Sequence, residues 1–173
     1  FDGKTLDGWH QINGKATYQV EDGAVVGTTA PNSPNSFLCT KQHFTDFELQ
    51  FDVMVDPELN SGVQFRSNSY ADYDNHRVHG YQAEIAIGGF NGGVYDEARR
   101  RRFINNSERT EAIGNLVQKN EWSHYRIRCE GDHIQIWVND VKVSDFHDAV
   151  TPSGFIGLQV HGVGNRTDPL QVR

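Results

Sequence analysis

The residues best equipped for chemistry sit in pairs, two apart, within strand-like runs: Gln64 with Arg66, Gln82 with Glu84, and Gln159 with His161. A strand sends residues i and i+2 to the same side, so each pair shares a face. The alternate positions of each run are apolar: Val63 and Phe65, Ala83 and Ile85, Leu158 and Val160. If the three runs are neighbours in one sheet, their polar sides merge into a patch of guanidinium, carboxylate, amide and imidazole groups. Such a set offers donors, acceptors and a proton carrier, which suits a polyhydroxy ligand such as a sugar. Polar alternation alone more often marks an ordinary solvated sheet face. Against that stands the make-up of the patch, which lacks the Lys, Thr and Ser that usually fill idle faces.

Two loop segments add candidates. Asn60-Ser61-Gly62 reads as a turn entering a strand. Tyr95-Asp96-Glu97, followed by Arg99 and Arg100, is denser in charge. Acid and guanidinium groups this close can pair, pinning a loop and presenting a cation to a ligand. The full run Arg99 to Arg102 is better read as a charge-paired stretch than as a nucleic-acid site, since the chain as a whole is acidic.

Other chemistries lack their signatures. No GxSxG elbow is present, and Gly88-Gly89 with Gly92-Gly93 does not form the GxGxxG of a phosphate loop. Ala86 stands two after Glu84, so that strand carries no second carboxylate for a two-carboxylate glycosidase. His76 and His79 with Asp72 and Asp74 read as a surface loop rather than a metal site. Cys39 and Cys129 lie in strand-like runs without metal spacing and are expected to be buried free thiols.

The elements that must position these residues are strands. Tyr18 to Val20 and Ala24 to Val26 flank Glu21-Asp22-Gly23, a hairpin signal. Phe47 to Val55 alternates apolar and polar and stops at Asp56-Pro57. Trp122 to Cys129, Ile134 to Val138, Val141 to Val143 and Phe155 to His161 continue the pattern, with turns at Asn139-Asp140 and Pro152-Ser153-Gly154. Asp96 to Asn120 is the one long stretch without strand character, the kind of segment that is usually functional or mobile. Short strands with frequent turns predict an all-β sandwich or barrel.

Composition agrees. The 173 residues fit one domain, 1–173, with 11% aromatics and 17 Gly. A net charge of −7 does not favour nucleic acid, and no apolar run is long enough to insert in a membrane. The chain opens on Phe1, so it is expected to be trimmed, with any export signal outside it.

Seven segments in one order resemble the 3-keto-disaccharide hydrolase domain family of the concanavalin A-like glucanase and lectin superfamily. They are Phe1-Asp-Gly-Lys-Thr-Leu-Asp-Gly-Trp9, Phe44-Thr-Asp-Phe47-Glu-Leu, Asn60-Ser-Gly-Val-Gln-Phe-Arg66, Gly80-Tyr-Gln-Ala-Glu84-Ile, Gly93-Val-Tyr-Asp-Glu97 with Arg99-Arg100, Glu121-Trp122, and Gly154-Phe-Ile-Gly-Leu-Gln159-Val-His161-Gly162. Ser123 departs from the Asn that follows Trp in the family's motif. The family's final strand is expected to be cut short at Val172-Arg173.

The resemblance implies an antiparallel β-sandwich, a concanavalin A-like jelly roll of about ten to thirteen strands, in a periplasmic or extracellular bacterial setting. It also implies action on 3-keto-glycosides. A ketone at C3 acidifies the C2 proton, so a base can remove it and expel the C1 aglycone, after which water adds. Carried over by motif, Glu84 is the base, His161 an alternative base or acid, and Arg66 the group that polarises the carbonyl. Gln82, Tyr95, Gln159 and Asn60 would hold the substrate, and Asp96, Glu97, Arg99 and Arg100 would shape the rim. No cofactor is expected. A divalent metal is compatible with the family, but the sequence supplies no ligand set for one. The partner is a carbohydrate, with neither nucleic acid nor membrane insertion. A non-catalytic lectin-like domain is the competing reading, and a structural module of a larger protein a third.

Overall fold

The computed structural model describes residues 1–105 and 107–173. Asn106, inside the stretch expected to be irregular, lies outside the described residues. The described residues form thirteen strands: β1 (Trp9–Ile12), β2 (Thr17–Glu21), β3 (Ala24–Thr28), β4 (Ser36–Thr40), β5 (Phe47–Val53), β6 (Ser61–Asn68), β7 (His79–Ile85), β8 (Val94–Glu97), β9 (Ser123–Glu130), β10 (His133–Val138), β11 (Val141–His147), β12 (Phe155–Val160) and β13 (Gln171–Val172). A single helical turn, α1 (Glu111–Gly114), interrupts them. It is capped by Thr110, whose side chain accepts from the Ile113 N–H.

The strands form a six-stranded sheet in the order β1-β4-β12-β6-β7-β8, a four-stranded sheet β11-β10-β9-β5, and a three-stranded sheet β13-β3-β2. Met54 and Arg173 exchange backbone hydrogen bonds, which ties β13 to the chain just after β5. The two smaller sheets thus join into the second layer of the sandwich. Turn chemistry sets the hairpins. Asn139 and Asp140 both take positive φ, +47° and +64°, as a tight two-residue turn between β10 and β11 needs.

The main core lies between the layers. Val63, Phe65, Tyr81, Ala83 and Ile85 of the large sheet meet Tyr125, Ile127, Ile134, Ile136 and Val138 of the opposing one. Period-two alternation produces this directly: β5 pairs with β9 from Phe47↔Cys129 to Val53↔Ser123, which aligns their inward faces. Burying one such isoleucine contributes about 1.5–3 kcal/mol. Phe51 stacks on Tyr125 with ring centroids 5.2 Å apart.

A second apolar cluster of Phe37, Cys39, Val78 and Phe155, with Ile12 against it, lies on the other face of the large sheet. The register shows this. Phe37 is opposite Gln159, and Cys39 is opposite Gly157, which in turn faces Gln64. Val78 comes from the β6–β7 loop, and Asn13 fastens that loop. The Asn13 Nδ2 donates to His76 O (3.1 Å) and its Oδ1 accepts from the Val78 N–H (2.9 Å). The amide face is closed to water, and Gln64, Gln82 and Gln159 are each 2% exposed or less. The two cysteines are free and buried, Cys39 in this cluster and Cys129 in the main core. Burial pushes the Cys129 thiol up to about 12, so it is inert as a nucleophile.

An apolar cleft of about 720 Å³ opens between β3 and β5, floored by Val63, Ile85, Ile156 and Leu158. Ser61, Gly62 and Gln159 also border it. No helix of the described residues is long and apolar enough to cross a membrane.

Candidate functional site

Antiparallel register brings three runs together as adjacent strands β12, β6 and β7. Gln64 sits directly opposite Gln82, and Gly62 opposite Glu84. β8 then places Tyr95 opposite Gln82 on the next strand out. These positions all project to the face opposite the main core.

The side chains form one connected network. Gln64 Nε2 donates to Gln82 Oε1 at 2.7 Å, and Gln159 Nε2 donates to the same oxygen at 2.9 Å. Gln82 Nε2 in turn donates to Glu84 Oε2 at 3.3 Å. Asn60 Nδ2 donates to the other carboxylate oxygen, Oε1. At the far end, Ser67 Oγ donates to Gln64 Oε1 at 2.7 Å.

Each residue of Asn60-Ser61-Gly62 has a task in this arrangement. Asn60 grips the carboxylate, and Ser61 Oγ donates to Gln159 O at 2.8 Å. Gly62 leaves room: a Cβ there would stand 2.6 Å from Cγ of Gln82. Ser61 and Gly62 already belong to β6, paired with Ile85 and Glu84, so the segment read as a turn is the start of the strand.

Glu84 is 9% exposed, and burial raises its carboxyl pKa above the ordinary value. The Asn60 and Gln82 donors and the His161 imidazole pull it down, while Glu97 pushes it up. Tyr95 is raised as well, by burial and by the charges of Glu97 and Glu84, so its hydroxyl stays a donor. His161 lies just past the end of β12 and is exposed, with its Nδ1 2.8 Å from Gly162 O. Its link to Glu84 is electrostatic. The donors make a direct prediction. Asn60 favours the charged form, so Asn60→Ala should lift the Glu84 pKa further. Any activity that needs ionised Glu84 should then show its acid limb about one pH unit higher, measured as kcat/KM against pH.

Tyr95 also lines an open cavity of about 330 Å³ with Asp74, Arg77, Glu97, Ala98 and Arg101. Arg77 Nη2 donates to Glu97 Oε1 at 2.8 Å. Glu97 and Tyr95 share a face because they are two apart in β8. Asp74, Arg77 and Arg101 were missed in the sequence. They reach the site from loops, where no periodicity announces a direction.

Four expected residues lie elsewhere. Arg66 does not join Gln64. The β6–β7 register shifts between Phe65 and Asn68, and Arg66 takes φ +44°. That bulge breaks the two-residue period and turns the side chain out of the amide face. Its guanidinium donates to Thr45 O and Gly131 O, each at 2.7 Å, and to Asp46 Oδ1 at 3.1 Å. Arg66 is 1% exposed and cannot polarise a substrate carbonyl from there.

Asp96, Arg99 and Arg100 do not shape the rim either. Asp96 lies between Tyr95 and Glu97 on β8, so strand parity sends it to the opposite side. It is fully buried and binds Arg99 Nε at 2.9 Å and Arg100 Nε. Arg100 Nη1 continues to Asp148 Oδ2 at 2.6 Å. Arg99 stacks over Tyr81 with its Cζ 5.0 Å from the ring centroid. This ion-pair group pins the loop after β8. Among the described residues, no three His, Cys, Asp or Glu side chains converge as a metal cradle.

The comparisons with known proteins agree with this architecture. The chain is 24% identical to the levanase of Bacillus subtilis (strain 168) over 159 residues, which is 90% of this chain and 21% of that protein. It therefore spans about a fifth of that relative. Among solved structures it is similar to the carbohydrate-binding module CBM66 from Bacillus subtilis, with a TM-score of 0.69 and 22% identity, covering 95% of this chain and 91% of the other. It is also similar to a provisionally named glycosyl hydrolase from Parabacteroides distasonis ATCC 8503, with a TM-score of 0.68 and 16% identity, covering 99% and 88%. At such identities the structural likenesses establish the jelly-roll fold. The profile described as the 3-keto-alpha-glucoside-1,2-lyase-like domain matches residues 1–173, and the chain belongs to that family.

Proposed function

We propose that the chain acts on 3-keto-glycosides, with Glu84 as the base that removes the C2 proton. The observation that carries this reading is the setting of Glu84. It is nearly buried, gripped by two amide donors, and raised in pKa by its burial. A carboxylate so placed is more basic than an exposed one, as a general base should be. Tyr95, opposite its neighbour Gln82, lines a cavity of about 330 Å³, large enough for a sugar ring.

Glu84 takes the C2 proton, and the electron pair of that bond passes into the C2–C3 enolate. In this scheme the Tyr95 hydroxyl, kept protonated, donates to the developing enolate oxygen, the role that the resemblance gives to Arg66. The enolate then collapses, forming the C1–C2 double bond, restoring the C3 ketone and breaking the C1–O bond. The leaving oxygen takes a proton, from His161 in this scheme. Water adds to C1 of the enone to complete a net hydrolysis.

The likeness to a carbohydrate-binding module supports a second reading, in which the same amides and Tyr95 hold a sugar without chemistry. A 3-keto-glucoside carrying a chromogenic aglycone separates the two. The first reading expects release well above the uncatalysed rate. Saturable sugar binding without release would favour the second.

A further inference from the structure

The amide at Gln82 can be oriented in two ways, and they have opposite consequences for Glu84. With Nε2 toward Glu84, the amide donates to a carboxylate and favours the charged form. With Oε1 toward Glu84, it repels a carboxylate and favours a protonated acid that can donate to it. Something must choose between the two.

Two side chains from the flanking strands make that choice. Gln64 on β6 and Gln159 on β12 both point N–H groups at Gln82 Oε1, at 2.7 and 2.9 Å. An oxygen holding two donors cannot swap places with an amino group without losing both bonds. Gln64 is itself fixed, since Ser67 Oγ donates to its Oε1. All three amides are 2% exposed or less, so water cannot take over a lost bond. Gln159 Oε1 is buried with no partner among the described residues.

We infer that Gln64 and Gln159 are positioning residues that set the charge state of Glu84 by locking the Gln82 amide with its Nε2 toward the carboxylate. The inference rests on the proposed base only where activity is the readout. The other groups that face Glu84 are Asn60 before β6, His161 past β12, Tyr95 and Glu97 on β8, and Tyr125 on β9, whose hydroxyl donates to Glu84 O at 3.1 Å. These stay in place when Gln64 or Gln159 is changed, so a shift can be assigned to the amides.

The test is a carbon-13 NMR titration of the Glu84 carboxyl in the unmutated chain, Gln64→Met, Gln159→Met and the double variant. Met keeps the side-chain volume, which limits repacking. The midpoint is expected to rise in each single variant, and by about one pH unit or more in the double variant. Folded variants whose Glu84 midpoint does not move would overturn the inference. If the midpoint rises but the acid limb of turnover stays put, the lock holds and the role of Glu84 as base falls. A second measurement needs no variant. The side-chain amide protons of Gln64 and Gln159 should exchange slowly with deuterium, and free exchange of both would overturn the lock.

Discussion

Glu84→Gln is expected to lower aglycone release from a 3-keto-glucoside by about 10²–10⁴-fold, the usual worth of a positioned general base. The substitution keeps the volume of the side chain, so folding should change little. The introduced amide would face Asn60 and Gln82, both of which donate to the carboxylate in the unmutated chain. One donor then meets an amino group, a modest strain beside the loss of the proton acceptor. Substrate binding should persist, because Asp74, Arg77, Tyr95 and Arg101 line the cavity and Glu84 does not. The pH profile sharpens the expectation. A raised carboxyl pKa means that the acid limb of kcat/KM lies above the ordinary glutamate range near 4.3 and disappears with the carboxyl group.

Arg66→Ala is expected to act on stability, at a cost of about 3 kcal/mol. Two of the three bonds go to backbone carbonyls, Thr45 O before β5 and Gly131 O in the β9–β10 turn. Removing the guanidinium takes the donor from both carbonyls and empties the buried space that the Arg66 side chain fills. The ion pair with Asp46 contributes little to this sum, because the Asp46 side chain is 59% exposed and screened by solvent. Arg66→Lys should recover part of the loss, since an ammonium cannot reproduce the three-directional fork. Urea unfolding measures both variants. A normal unfolding midpoint with lost turnover in Arg66→Ala would return Arg66 to the site.

Arg66 also shows where period-two reading ends. Nothing in Val63-Gln64-Phe65-Arg66 marks a bulge, and φ +44° at a non-glycine residue is fixed by tertiary contacts. The rule was sound for Gln64, Gln82 and Gln159, which lie on strands regular enough to keep their parity. Glu84 was legible for the same reason. Asp96 was misplaced because β8, only four residues long, was read as loop. Once Val94–Glu97 is a strand, parity separates Tyr95 and Glu97 from Asp96. The long strands and the hairpin turns could be read from alternation and from Asn139-Asp140 or Asp22-Gly23. The short strands β1 and β13 could not, since two to four residues carry too little pattern. The docking of the β6–β7 loop was equally hidden, because it depends on Asn13 reaching Val78, 65 residues along the chain.

Removal of the C2 proton by Glu84 is the central claim, and following that proton itself tests it most directly. A 3-keto-glucoside is incubated with the chain in deuterium oxide, and loss of the C2 proton signal is followed by proton NMR. Rapid loss is expected with the unmutated chain, and loss at the background rate with Glu84→Gln. Equal rates of loss in the two proteins would contradict the assignment of Glu84 as the base.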